Sequence, residues 1–210
     1  MSLRSTRTRI LLVVAALTVG AATLSAAPNA GAHGEHLRAT VRNTGGATVG
    51  NMTFSEEDGA ILVKATFRGL APGFHGFHIH SIGVCDPLAK DATGATVPFF
   101  SAGGHYNPDA FAHGNHAGDM PPLLVLQDGT AKLRFKTDRF ELDELVDADG
   151  SAVVLHAGPD NLGHIPAATS TGGERYHSHL ENVFGPDSLT RATGDAGARF
   201  GCGLVISNER

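Results

Sequence analysis

Residues 74–86 read FHGFHIHSIGVCD, three histidines within six positions of an otherwise apolar run. The pattern predicts a β-strand over 73–81, on which His78 and His80 lie two apart and leave the same face. Two imidazoles on one face can chelate one metal ion. The same pair also fits a buried, hydrogen-bonded couple, so H-x-H alone does not decide. His75 has the opposite parity and reads as a structural support. A second cluster follows in GGHYNPDAFAHGNHAGDMPP, residues 103–122, with His105, His113, His116 and Asp119. Three imidazoles and a carboxylate are a sound donor set for four-coordinate zinc. They sit in a Gly/Pro-rich segment with little apolar surface of its own, where a metal would supply order that packing cannot. His156 ends the short apolar run Ala152–Leu155 and is followed four residues later by Asp160.

These groups need a scaffold, and the flanking sequence predicts strands. Leu37–Arg42 alternates apolar and polar residues before an Asn43-Thr44-Gly45-Gly46 turn, and residues 47–54 form a less regular strand. Ile61, Val63, Ala65 and Phe67 alternate with Leu62, Lys64, Thr66 and Arg68, the pattern of a strand with one buried face. Further strands are expected at 123–127, 131–138, 151–156 and 200–206, and a helical turn at 141–145. Segments 82–119 and 157–198 show no periodicity and read as long loops, which in a compact domain are usually functional. About eight short strands with hairpin turns predict an all-β antiparallel sandwich or barrel.

The chain has 210 residues and a formal charge of −5. Residues 1–32 carry Arg4, Arg7 and Arg9, no acid, an apolar stretch and a small-x-small site at Ala30-Gly31-Ala32. This is the pattern of a secretory signal peptide cut after Ala32. A membrane anchor is the competing reading of the apolar stretch. It is disfavoured by the Pro28-Asn29 break and by the lack of a comparable stretch later, so no stable membrane anchor is expected. The remaining 178 residues, 33–210, suffice for one domain with a real core. They hold 13 basic and 21 acidic residues, a balance that argues against nucleic acid as a partner. Two cysteines, Cys85 and Cys202, suggest one intramolecular disulfide in an oxidising compartment, two buried thiols being the alternative.

Taken in order, GFHGFHIH, SAGGHYNP, HAGD, VVLHAGPDN and GDAGARFGCG resemble the copper/zinc superoxide dismutase family of secreted bacterial type, over residues 37–207. The resemblance implies an eight-stranded antiparallel Greek-key β-sandwich or barrel, immunoglobulin-like, with two long functional loops. It implies copper held by His78, His80, His105 and His156. It implies zinc held by His105, His113, His116 and Asp119, with His105 shared. Asp160 would link His78 to His113, Arg199 would stand beside the copper, and Cys85 would pair with Cys202. The implied activity is dismutation of superoxide to oxygen and hydrogen peroxide by alternating copper reduction and oxidation, His105 exchanging a proton as it does so. Location outside the cytoplasm (extracellular, wall or periplasm) is expected. The resemblance leaves a homodimer and a monomer both open.

Ser81 and Gly104 depart from common family residues but fall on no ligand position. The second long loop lacks lysine and contains His164, His177 and His179, to which no ligand role is assigned. Superoxide is an anion and the chain is acidic, yet steering depends on the local field of the cleft, where Arg199 and two divalent ions would dominate. A copper-buffering protein and a zinc-stapled sandwich with a vestigial copper site are the competing readings. His33, Glu35 and His36 behind a new amino terminus could bind a further copper, or form a polar tail. The complete ligand set and Arg199 favour the enzyme.

Overall fold

Alternating burial organises the chain as strands from the start. The structure is a computed structural model that describes residues 36–208; the expected signal peptide lies outside them. The strands are β1 (His36–Asn43), β2 (Thr48–Glu57), β3 (Ala60–Phe67), β4 (Gly73–His75), β5 (Phe77–His80), β6 (Leu123–Val125), β7 (Ala131–Thr137) and β8 (Ala152–His156). They continue with β9 (His177–Ser178), β10 (Val183–Phe184), β11 (Arg199–Leu204) and β12 (Ile206–Ser207), and one α-helix, α1, spans Ser188–Thr193.

One eight-stranded antiparallel sheet carries the order β5-β8-β11-β1-β2-β3-β7, with β12 paired to β1. The chain crosses from one end of this order to the other three times, after β3, after β5 and after β7, as Greek-key connectivity requires. A two-stranded piece, β4-β6, adds Leu123 and Val125 to the core formed by the main sheet. In β3, Ile61, Val63, Ala65 and Phe67 all face that core, as the alternation predicts, and Leu62 on the other face is buried too. The Phe67 and Phe77 rings meet edge to face at 6.0 Å, joining β3 to β5, the strand of His78 and His80.

The sequence and the structure part at four places. The single strand expected over 73–81 is two strands in two sheets: β4 pairs with β6 and β5 with β8. The break is Gly76, whose N–H donates to Gly158 O at 2.9 Å and whose carbonyl accepts from His156 N at 2.8 Å. A Cβ there would lie 2.7 Å from that of Ala196, so only glycine lets these segments meet. The helical turn is a 3-10 turn shifted to Asp143–Val146. The closing strand is divided into β11 and β12. Finally, the 157–198 loop contains the β9-β10 hairpin and α1. The helix is capped by the Asp187 side chain, which accepts from Thr190 N at 3.0 Å, and is ended by left-handed Gly194.

Cys85 and Cys202 form a disulfide across 117 residues, tying the segment after β5 to β11. Closing a loop of that length restricts the unfolded chain and is worth about 4–5 kcal/mol in the chain-entropy model.

Candidate metal centre

The centre is assembled on β5, the strand with all four residues buried. Its neighbour β8 places His156 at the end of the shared ladder. The 104–119 loop is stitched along the other side: Ile79 donates to Gly118 O at 2.9 Å and accepts from Tyr106 N at 2.8 Å. Isolated bridges pair His80 with His105 and His78 with Asp119. A side chain at position 118 would strike Ile79 O, so this close approach requires glycine. The aperiodic loop thus gains strand-like anchoring at His105 and Asp119.

Six histidines are buried here: His78, His80, His105, His113, His116 and His156. Among the described residues, two groups of donor atoms fall within 4.8 Å of one another. One is His78, His80, His105 and His156; the other is His78, His105, His113 and Asp119. His116 adjoins the second, its Nδ1 lying 3.3 Å from His105 Nδ1 and 3.3 Å from Asp119 Oδ1. His78 and His105 belong to both groups. His164, His177 and His179 belong to neither.

One ring nitrogen of each of four histidines is engaged by an acceptor. His78 Nε2 meets Asp160 Oδ2 at 2.6 Å, and His113 Nε2 meets Asp160 Oδ1 at 2.8 Å. His80 Nδ1 meets Gly103 O at 2.9 Å, and His156 Nδ1 meets Gly197 O at 3.0 Å. Each acceptor holds a proton on that nitrogen, and in His78, His80 and His156 this leaves the lone pair on the other. Those other atoms, His78 Nδ1, His80 Nε2, His113 Nδ1 and His156 Nε2, are buried without a hydrogen-bond partner. A buried unsatisfied polar atom costs about 1–3 kcal/mol. Four of them aimed into one centre fit a site built for cations.

The carboxylate side fits as well. Asp119 Oδ2 accepts from Gly114 N at 2.7 Å and His116 N at 3.0 Å, which fixes the group. Asp119 Oδ1 then faces Nδ1 of His105, His113 and His116 at 3.0, 3.2 and 3.3 Å. An all-imidazole set suits copper, and imidazoles with one carboxylate suit zinc.

Burial sets the protonation of these rings. It holds His80 well below the usual histidine range and brings His105 down to about 4 and His156 to about 3, with neighbouring imidazoles adding to the effect. Burial also lowers His78, against the opposing pull of Asp160. His113 behaves oppositely. Burial disfavours its charge, but Asp119 and Asp160 together outweigh that and raise it to about 9. Both carboxyls are held far below their usual range despite burial, through their histidine contacts. The four-histidine group is therefore neutral and ready to donate lone pairs at neutral pH.

Arg199, at the start of β11, completes a cleft of about 500 Å³ over His80, His105 and His156. Its guanidinium donates to Phe99 O at 2.5 Å and Gly103 O at 2.7 Å. Phe99 N in turn donates to Asp86 O, next to the disulfide. The Cys85–Cys202 link thereby braces the segment that aims the arginine. Leu189, Ala192 and Thr193 of α1 form the opposite wall. The sequence reading missed this helix, although Asp187 and Gly194 carry the cap signals. It also missed Phe99 and Gly103, which act through backbone carbonyls and have no side-chain signature. His75 stands where its parity suggests, bracing the site: its Nδ1 lies 2.9 Å from His156 O and its Nε2 2.9 Å from Ala71 O.

Known proteins are similar to this chain in sequence and in fold. The family model described as copper/zinc superoxide dismutase matches residues 48–205. A copper-zinc superoxide dismutase of Mycolicibacterium paratuberculosis is 39% identical over 154 residues, covering 72% of this chain and 65% of that protein. One of Mycobacterium tuberculosis is 38% identical over 177 residues, covering 82% of this chain and 71% of its own. The solved Cu/Zn superoxide dismutase from Brucella abortus superposes with a TM-score of 0.58 at 27% identity, over 82% of this chain and 100% of that one. With the family model matched along most of its length, this chain belongs to the copper/zinc superoxide dismutase family.

Proposed function

We propose that this chain is a superoxide dismutase that converts two superoxide anions and two protons into one oxygen and one hydrogen peroxide. The observation that carries the reading is the meeting of two donor groups of different character at His105, whose Nδ1 lies 3.0 Å from Asp119 Oδ1 and 3.3 Å from His116 Nδ1; His78, also common to both groups, is tied through Nε2 to Asp160. In this assignment His78, His80, His105 and His156 hold copper, and His105, His113, His116 and Asp119 hold zinc. Copper, when bound, supplies the one-electron couple that the reaction requires and that zinc lacks.

The chain's own residues do the rest. Arg199 keeps two of its five N–H donors on carbonyls and offers the remainder of its charge to an anion entering the cleft. Electrostatic attraction of this kind raises the encounter rate although the whole chain is acidic. His105 lines the cleft beside His80, His156 and Arg199 and is the residue proposed to exchange a proton with the reduced product. Asp160 keeps His78 and His113 in fixed tautomers. Leu189, Ala192 and Thr193 wall the cleft opposite the histidines.

Residues 1–32 are proposed as an export signal, residues 33–210 as the mature domain, and the site of action as outside the cytoplasm. The Cys85–Cys202 disulfide supports this, since such bonds persist in oxidising compartments. Among the described residues no helix is long and apolar enough to cross a membrane. The test is catalysis by protein loaded with both metals. It should remove superoxide and release one peroxide for every two superoxide consumed, and protein loaded with zinc alone should not. Equal rates in the two preparations would refute the reading.

A further inference from the structure

Neighbouring imidazoles in the buried centre have ring centroids 3.9 to 6.3 Å apart and planes inclined at 26 to 86°, the H-x-H pair His78–His80 standing at 6.3 Å and 47°. Among the described residues one further pair of imidazoles stands this close. The rings of His177 and His179 stand 4.8 Å apart at 72°. They form a second H-x-H, on the β9-β10 hairpin of the loop that walls the cleft.

The hairpin holds this pair outward. Ser178, between the two histidines, turns to the other side and donates to Asp187 Oδ2 at 2.8 Å, the same carboxylate that caps α1. Glu181 accepts from Ser188 N at 2.9 Å and Ser188 Oγ at 3.0 Å, a second tie to the helix. On the histidine side, Phe184 sits opposite His177 in the ladder, its ring 4.6 Å away, and limits the rotation of that imidazole. Asn182 Oδ1 lies 3.1 Å from His177 Nε2. Accepting the proton there leaves the His177 lone pair on Nδ1, the device Gly103, Gly197 and Asp160 use on the buried ligands. The His179 ring makes no hydrogen bond among the described residues.

We propose that His177 and His179 form a separate, solvent-accessible site for one borderline divalent transition-metal ion. Copper(II) is the tightest-held member of that class by the general order of imidazole affinities. Two protein ligands leave several positions to water, so the ion would exchange readily. The two buried groups, with three or more protein donors each, would retain theirs. The site does not depend on catalysis. It would place an accessible ion on the segment that continues into α1 and the cleft wall.

The experiment titrates copper(II) into the mature protein already loaded with copper and zinc, following bound ion by equilibrium dialysis and the copper electron spin resonance signal. The wild-type protein should take up one further ion per chain at the hairpin, with nitrogen couplings from imidazole. H177A/H179A should lose that equivalent and keep its buried metals. N182A should weaken it several-fold by freeing the tautomer. Should the amino-terminal His33 and His36 bind copper as well, the double variant still lowers the total by one. Unchanged uptake and an unchanged signal in H177A/H179A would overturn the proposal, as would uptake lost from that variant together with the buried metals.

Discussion

Replacing Asp160 by asparagine tests the coupling of the two donor groups, and the structure says which side should fail. The carboxylate accepts three hydrogen bonds. Oδ1 takes His113 Nε2 at 2.8 Å and Leu162 N at 2.6 Å, and Oδ2 takes His78 Nε2 at 2.6 Å. Asparagine has one carbonyl oxygen and one NH2 group, so it cannot accept on both sides. Placing the oxygen at the Oδ1 position preserves two of the three bonds. The amide NH2 then faces His78 Nε2, donor against donor. His78 must leave a buried donor unpaired, at about 1–3 kcal/mol, or shift its proton to Nδ1 and lose the lone pair aimed at the four-histidine group. That energy corresponds to roughly 5- to 150-fold in binding, in line with the 10- to 100-fold typical of residues supporting metal ligands. D160N should therefore lower copper affinity by about 10- to 100-fold and zinc affinity much less. Competition with chelators of known affinity, one metal at a time, gives both numbers. Equal affinities for both metals in D160N and wild type would refute the reasoning, and a selective loss of zinc would show that the amide sits the other way round.

Other outcomes follow from the same geometry. R199A should cut kcat/KM for superoxide by about 10-fold or more and flatten its dependence on ionic strength, since the cation steers an anion; stopped-flow decay at several salt concentrations checks both. G194A should cost about 2 kcal/mol and speed zinc loss. Its Cβ would run into Asp160 Oδ1 and His113 Nε2, and its φ of 61° suits glycine; urea unfolding and zinc release read these effects. In metal-free protein, His105 and His156 titrate near 4 and 3, below the unfolded value of 6.5. The stability they contribute is present above pH 6.5 and is lost as pH falls towards 3, about 3 kcal/mol for His105 alone. His113, raised to about 9, contributes below pH 6.5 and loses its share as pH rises through 9. Urea midpoints of the metal-free protein should thus peak near neutral pH and decline on both sides.

Much of this molecule can be read from residue order because its chemistry is carried by side chains of distinctive type. Strand parity puts His78 and His80 on one face, and the structure finds His75 in a bracing role between carbonyls of His156 and Ala71. Alternation in β3 marks the core face. What escaped the sequence is carried by the backbone. Gly76 divides one apparent strand into two, because its hydrogen bonds go to Gly158 and His156 and not along a single ladder. The orienting partners of Arg199, His80 and His156 are carbonyls of Phe99, Gly103 and Gly197, which any residue could supply. Helix α1 has six residues, too short to show a helical period, and its only signals are the capping Asp187 and the terminating Gly194. The Asp160 bridge spans residues 78, 113 and 160; no local pattern contains that link, and the family resemblance alone implies it.

Locating each metal directly is the most searching test. Crystals of protein loaded with copper and zinc, measured on either side of each absorption edge, distinguish the two ions by their anomalous scattering. The account predicts copper bound by His78 Nδ1, His80 Nε2 and His156 Nε2 together with His105, and zinc bound by His113 Nδ1 together with His105, His116 and Asp119. Zinc in the four-histidine group, or copper absent from it in protein that removes superoxide, would contradict the account.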